Sequence, residues 1–128
     1  MRVVAAVIQD RDEILCCRRA PHKALAGQWE FPGGKVESGE SDKVALEREL
    51  QEELGIDVQI GDFIIESSND FGITMATYFV TLSSPRPTES SDHDELIWLS
   101  VGELAPLNWA ELDVPVVREV ERLRGITG

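Results

Sequence analysis

Residues 34–56 read GKVESGESDKVALERELQEELGI, and the way this stretch is parsed decides the fold. Ser41 stands where a side-chain oxygen can cap a helix, and Gly55 where a left-handed residue can end one, so the spacing predicts a helix running to about Leu54. Leu46, Leu50 and Leu54 recur every four residues and give that helix a core-facing stripe. Glu49, Glu52 and Glu53 fall at i, i+3 and i+4, so their carboxylates share one face. Like charges at that spacing repel by roughly a few tenths of a kcal/mol per pair unless a cation neutralises them. Such a run is either the solvated side of an amphipathic helix or a converging set of hard oxygen ligands suited to Mg²⁺ or Mn²⁺. Just ahead, Pro32-Gly33-Gly34 halts a brief extended piece, Trp29-Glu30-Phe31, and the paired glycines permit an approach to the backbone that a Cβ would forbid.

Outward from this centre the pattern is one of strands. Arg2 to Gln9 and Glu13 to Arg19 are β-prone runs parted by Asp10-Arg11-Asp12, which reads as a hairpin, and Pro21 to Gln28 reads as a loop. Beyond the helix, Ile56 to Glu66 and Ile73 to Leu82 read as strands around a turn at Ser67-Ser68-Asn69-Asp70. A polar loop from Ser83 to Asp94 leads to a further strand, Glu95 to Leu99. Ser100 and Glu103 have capping-box spacing for one helical turn. A last helix starts near Asp113, with Pro115 in its first turn and Val116, Val117, Val120 and Leu123 on its buried side. Strands around a central helix, with another helix at the end, predict an α/β fold: a mixed β-sheet sandwiched between α-helices, as one domain over residues 1–128.

Composition narrows the function classes. The chain is 42% hydrophobic and 28% charged, a globular balance, and no apolar run approaches the roughly 20 residues of a membrane span. A formal charge of −12 sets it against nucleic acid polymers, whose phosphates it would repel, and obliges any phosphate ligand to come with divalent cations. The two cysteines, Cys16 and Cys17, are adjacent, which rules out an ordinary disulfide framework, fits a cytoplasmic setting, and places them on opposite faces of a strand. The expectation is a soluble monomer or homodimer with no membrane partner.

Gly34, Glu40, Arg48-Glu49-Leu50, Glu52-Glu53 and Gly55-Ile56 together match every fixed position of the Nudix box, and the preceding Glu30-Phe31-Pro32-Gly33-Gly34-Lys35 is similar to the MutT branch of that family. The resemblance, strong over residues 27–56, implies the Nudix fold and a Mg²⁺-dependent hydrolase, with Mn²⁺ as an alternative cofactor. It implies that Glu49 and Glu53 ligate the metal, with Glu52 on that ion or a second, and that Gly33 adds a backbone carbonyl. Arg48 would hold a glutamate in place, a role compatible with a plain i, i+4 pair to Glu52, and Glu40 would brace the loop against the helix. Asp92, six residues before Trp98, occupies the place of a further family carboxylate, as a third ligand or a base, while His93 reads as a loop residue rather than a ligand. The reaction implied is attack on the β-phosphorus of a nucleoside triphosphate, releasing a nucleoside monophosphate and pyrophosphate. Glu49 is the favoured base, with Glu52 and Asp92 open.

Substrate contacts are expected from Gly34 and from three further residues. Arg19 is either a ligand for the phosphates or a surface cation, and Phe31 either faces the nucleoside or packs in the core. Asp113 stands where the MutT enzyme specific for oxidised guanine has asparagine; it is either a base contact or a helix cap. An ionised aspartate only accepts hydrogen bonds, which shifts the expected substrate toward (deoxy)cytidine triphosphates without removing oxidised dNTPs such as 8-oxo-dGTP. The role implied is sanitation of the nucleotide pool. Hydrolysis of another nucleoside diphosphate derivative, such as a nucleotide sugar or ADP-ribose, and a noncatalytic nucleotide-binding module are the competing readings.

Overall fold

The computed structural model describes residues 1–124. Its strands are β1 (Arg2–Asp10), β2 (Glu13–Arg19), β3 (Trp29–Glu30), β4 (Gly33–Lys35), β5 (Val58–Ser68), β6 (Thr74–Leu82) and β7 (His93–Leu99). Its helices are α1 (Asp42–Leu54) and α2 (Val114–Leu123), with 3₁₀ turns at Val101–Glu103 and Glu111–Asp113. The strands form one mixed sheet in the order β3-β2-β1-β6-β5, with β1 and β6 parallel, β4 beside β1 and β7 beside β2.

Strict alternation along β1 and β2 builds two cores. Val4, Ala6, Ile8, Leu15 and Cys17 face one side, where Leu46, Leu50 and Leu54 of α1 cover them. Ala5, Val7, Ile14 and Cys16 face the other, under Leu104, Trp109 and Val116, Val117 and Val120 of α2. This is the expected sandwich, and the two cysteines lie free and buried on opposite faces.

The caps of α1 are those expected: the Ser41 hydroxyl accepts from the Val44 N–H at 3.2 Å, and Gly55 takes φ 65°. The Glu103 carboxylate likewise accepts from the Ser100 N–H at 3.0 Å and hydroxyl at 2.8 Å. Three local expectations are corrected. The halt at Pro32 stands, with β3 ending at Glu30, but Gly33 and Gly34 are themselves strand residues of β4, because a glycine pair can lie flat against β1. Leu123 is 44% exposed, since the helix turns its buried stripe away after Val120. Asp113 has helical backbone angles and no side-chain cap hydrogen bond; its carboxylate is engaged elsewhere.

Candidate active site

The sheet divides where β1 and β2 part. They pair only beside their hairpin, at Gln9 with Ile14 and Asp10 with Glu13. Farther along, β1 pairs with β4 and β2 with β3 and β7. The short segment between β3 and β4 lies in this opening, anchored by the Ala6 N–H donating to the Pro32 carbonyl at 2.8 Å. A cleft of ≈ 320 Å³ opens here, with Arg19, Glu30, Phe31, Gly33, Gly34 and Asp113 in its wall. Five of these six were singled out in the sequence; Glu30 was not.

The two glycines make different close approaches. A Cβ on Gly33 would lie 1.9 Å from the Val4 carbonyl oxygen, so this residue is dictated by strand pairing. A Cβ on Gly34 would lie 2.3 Å from the Glu49 carboxyl carbon. The group that comes close to Gly34 is therefore a carboxylate of the acidic helix, which lies behind this part of the cleft wall.

Arg48 organises the helix side. Its Nε and Nη2 donate to the two oxygens of Glu40 at 2.8 and 2.9 Å, a bidentate pair, and Nη2 also donates to the Lys35 carbonyl at 3.0 Å. Its Nη1 reaches Glu49 at 3.0 Å and Glu52 at 3.2 Å. Glu40 in turn accepts the Glu37 N–H at 2.9 Å. The Arg48 hydrogen bonds, seconded by that backbone bond, hold the Glu40 carboxyl down at about 2. Loop and helix are thus tied together, with Glu52 left 62% exposed at the outer rim.

Glu53 has opposite surroundings. Its side chain is only 4% exposed, and its Oε2 is buried with no hydrogen-bond partner. Burial, then repulsion from Asp92, Glu30 and Glu49, pushes its carboxyl up to about 9, against some relief from Lys23. Asp92 lies close enough to contribute to that repulsion and pairs with Lys23 at 3.2 Å. Among the described residues, no three His, Cys, Asp or Glu side chains gather tightly enough to enclose an ion as they stand. In this arrangement Glu49 and Glu52 are paired with Arg48, and Glu53 lies against His93.

His93 is not a loop residue. It opens β7 with a wholly buried ring, its Nε2 2.8 Å from Glu30 and its Nδ1 2.8 Å from the Ser90 hydroxyl and 3.4 Å from Glu53. Glu30 also accepts from Arg19 Nη1 at 2.7 Å, while Arg19 Nε donates to the Ala24 carbonyl at 2.6 Å. Arg19 is therefore a held, partly buried cation of the cleft wall rather than a free surface charge. Burial pushes Glu30 up, but the hydrogen bonds from His93 and Arg19 outweigh it and keep the carboxyl below its ordinary value. One signal in the sequence could have found Glu30: an acidic residue between Trp29 and Phe31 needs partners if its neighbours are buried.

Asp113 reaches the cleft because Asn108 to Ala110 pairs with β3. The Trp29 N–H donates to the Asn108 carbonyl and the Ala110 N–H to the Trp29 carbonyl, both at 2.9 Å. Phe31 is buried and stacks on Trp109, ring centroids 4.7 Å apart, so it serves the core and the cleft wall together. Its backbone N–H donates to Asp113 Oδ1 at 2.9 Å. Burial pushes the Asp113 carboxyl up to about 8, opposed by that hydrogen bond. Burial therefore favours the neutral carboxyl over the ionised, accept-only form.

A family model described as the NUDIX domain matches residues 1–120. The chain is 34% identical to the CTP pyrophosphohydrolase of Escherichia coli, over 97% of this chain and 93% of the relative. It is 31% identical to the 8-oxo-dGTP diphosphatase of the same organism, over 94% and 95%. Among solved structures, MutT from methicillin-resistant Staphylococcus aureus superposes with a TM-score of 0.75 at 42% identity, covering 95% of each chain. With a family model matched over residues 1–120 and relatives of 34% and 42% identity over nearly the whole length, the chain belongs to the Nudix family of hydrolases.

Proposed function

We propose that this hydrolase is a divalent-cation-dependent pyrophosphohydrolase of nucleoside triphosphates, acting on (deoxy)cytidine triphosphates and on oxidised dNTPs to keep the nucleotide pool clean. The observation that carries the reading is the buried, unpartnered Oε2 of Glu53, linked through His93 to Glu30 in the cleft wall, whose Gly34 lies against Glu49. An orphaned carboxyl oxygen among other carboxylates fits a hard cation. Glu49, Glu52 and Glu53 would hold it with the Gly33 carbonyl, and Asp92 would add to the set. Mg²⁺, or Mn²⁺ in its place, supplies positive charge to offset that of the phosphate oxygens.

The chain's own groups divide the remaining work. The Arg19 guanidinium, held by Glu30 in the cleft wall, would meet the phosphates. Glu49, oriented by Arg48, takes a proton from water as the water oxygen bonds to the β-phosphorus. The bond from that phosphorus to the oxygen bridging it to the α-phosphate breaks, giving a nucleoside monophosphate and pyrophosphate. Asp113 in its neutral form offers both an O–H donor and acceptor lone pairs, and so, like an asparagine amide, can donate to one base atom and accept from another. Aspartate here therefore suits cytosine and oxidised guanine alike.

Steady-state assays with Mg²⁺ on dCTP, 5-methyl-dCTP, CTP, 8-oxo-dGTP and ADP-ribose, scoring pyrophosphate and phosphate release, test the proposal. Pyrophosphate from the triphosphates is expected. No turnover on any of them with metal bound, or turnover of ADP-ribose alone, would overturn it.

A further inference from the structure

The cleft and the acidic helix are built from distant parts of the chain, yet one side chain touches both. His93 leaves the start of β7 and lies between Glu30 of β3 and Glu53 of α1. On one side Nε2 meets Glu30 Oε2 at 2.8 Å, and the other oxygen of Glu30 holds Arg19 at 2.7 Å. On the other side Nδ1 meets the Ser90 hydroxyl at 2.8 Å and stands 3.4 Å from Glu53 Oε1. An ionised carboxylate only accepts, so Nε2 donates to Glu30, while Nδ1 shares a hydrogen bond with the Ser90 hydroxyl. The ring has no exposed surface on which to swing. The backbone repeats the connection: the Ser91 N–H donates to the Glu53 carbonyl at 3.3 Å, and the Ala20 N–H, next to Arg19, donates to the Asp92 carbonyl at 3.1 Å.

We propose that His93 is a positioning residue that couples the nucleotide cleft to the acidic face of α1, fixing Glu53 from its Nδ1 edge and Arg19, through Glu30, from its Nε2 edge. The inference rests on the metal-dependent reading above. With Oε1 of Glu53 packed against the imidazole, Oε2 is the oxygen left free. With Glu30 held on the other edge, the guanidinium that faces the phosphates is set relative to the same ring. Phosphate grip and carboxylate placement are thereby referred to one rigid group, as catalytic geometry requires.

The two edges can be separated by substitution, because an asparagine amide nitrogen reaches about as far as Nδ1 and a glutamine amide nitrogen about as far as Nε2. Mn²⁺ binding, followed by electron paramagnetic resonance without nucleotide, reads the Glu53 edge, and KM for dCTP reads the Arg19 edge. His93→Gln should weaken Mn²⁺ binding about tenfold, in the range seen when groups behind a metal ligand are removed, with KM within about twofold. His93→Asn should raise KM about tenfold and leave Mn²⁺ affinity within about twofold. Native values of both quantities in both variants, or equal losses of both in both, would overturn the proposal. If neither variant folds, the unsubstituted protein decides. Its His93 ring nitrogen resonances should shift on titration with Mg²⁺ alone, and unmoved resonances under saturating metal would sink the idea. A wild-type protein that neither binds metal nor turns over nucleotide would instead refute the functional reading itself.

Discussion

Two carboxyl groups of the same residue type, Glu40 and Glu53, lie on either side of Arg48 in the sequence and have opposite fates. Glu40 is clamped by the Arg48 fork and by the Glu37 N–H, and its carboxyl is held at about 2. Glu53 is buried among Asp92, Glu30 and Glu49, with one oxygen unpartnered, and is pushed up to about 9. The protein completes the first charge by itself and leaves the second incomplete. A structural carboxylate is satisfied in the fold, whereas a ligand-binding one costs stability until its ligand arrives.

The sharpest way to break this contrast is Glu53→Gln. It should lower kcat about 100-fold or more, equivalent to roughly 3 kcal/mol, and abolish tight Mn²⁺ binding. The metal-free variant should also be more stable at pH 7, by on the order of 2 kcal/mol and with a higher melting temperature, because the cost of keeping a neutral glutamic acid disappears. Lower stability in calorimetry would show that Glu53 is satisfied in the fold after all. Next in size, Arg48→Lys should lower kcat about tenfold and fail to restore the clamp, since a lysine cannot make the two-pronged contact with Glu40. Full activity would reduce Arg48 to a surface pair.

The same contrast sets the pH dependence of the metal-free protein. Glu53 and Asp113 have folded values raised to about 9 and about 8, so each contributes stability that is complete below its unfolded value near 4 and is lost as pH rises toward the folded one. Glu40 runs the other way, its contribution present above the unfolded value and lost as pH falls toward about 2. Melting temperature should therefore fall between pH 5 and pH 9, and a flat profile would mean that the buried acids are ionised. The smallest effect is at Asp113. KM for dCTP should rise severalfold above pH 8 as Asp113 loses its donor, and Asp113→Asn should remove that rise while leaving the neutral-pH base preference nearly unchanged.

The legibility of the site follows from how its parts are encoded. The acidic helix is contiguous, so Ser41, Gly55, the leucine stripe and the glutamates could be read from periodicity alone. Arg19, Phe31 and Asp113 could be singled out one by one, but their shared cleft depends on β1 and β2 parting after their hairpin. Glu30 and His93 escaped because each has a meaning only through the other. A lone glutamate between aromatics and a lone histidine in a polar loop carry no periodic signal. The protonation of Asp113 is not legible for a related reason: burial is a property of the assembled fold.

Gly34 carries a consequence of another kind. Where the space for a single methyl group is already filled by the Glu49 carboxyl, no layer of solvent separates the cleft from the acidic helix. Any larger residue at position 34 would have to push that carboxyl away from Arg48. The backbone of the cleft wall and the hydrogen bonds of the acidic helix are therefore not independent, and a change made to one is felt by the other.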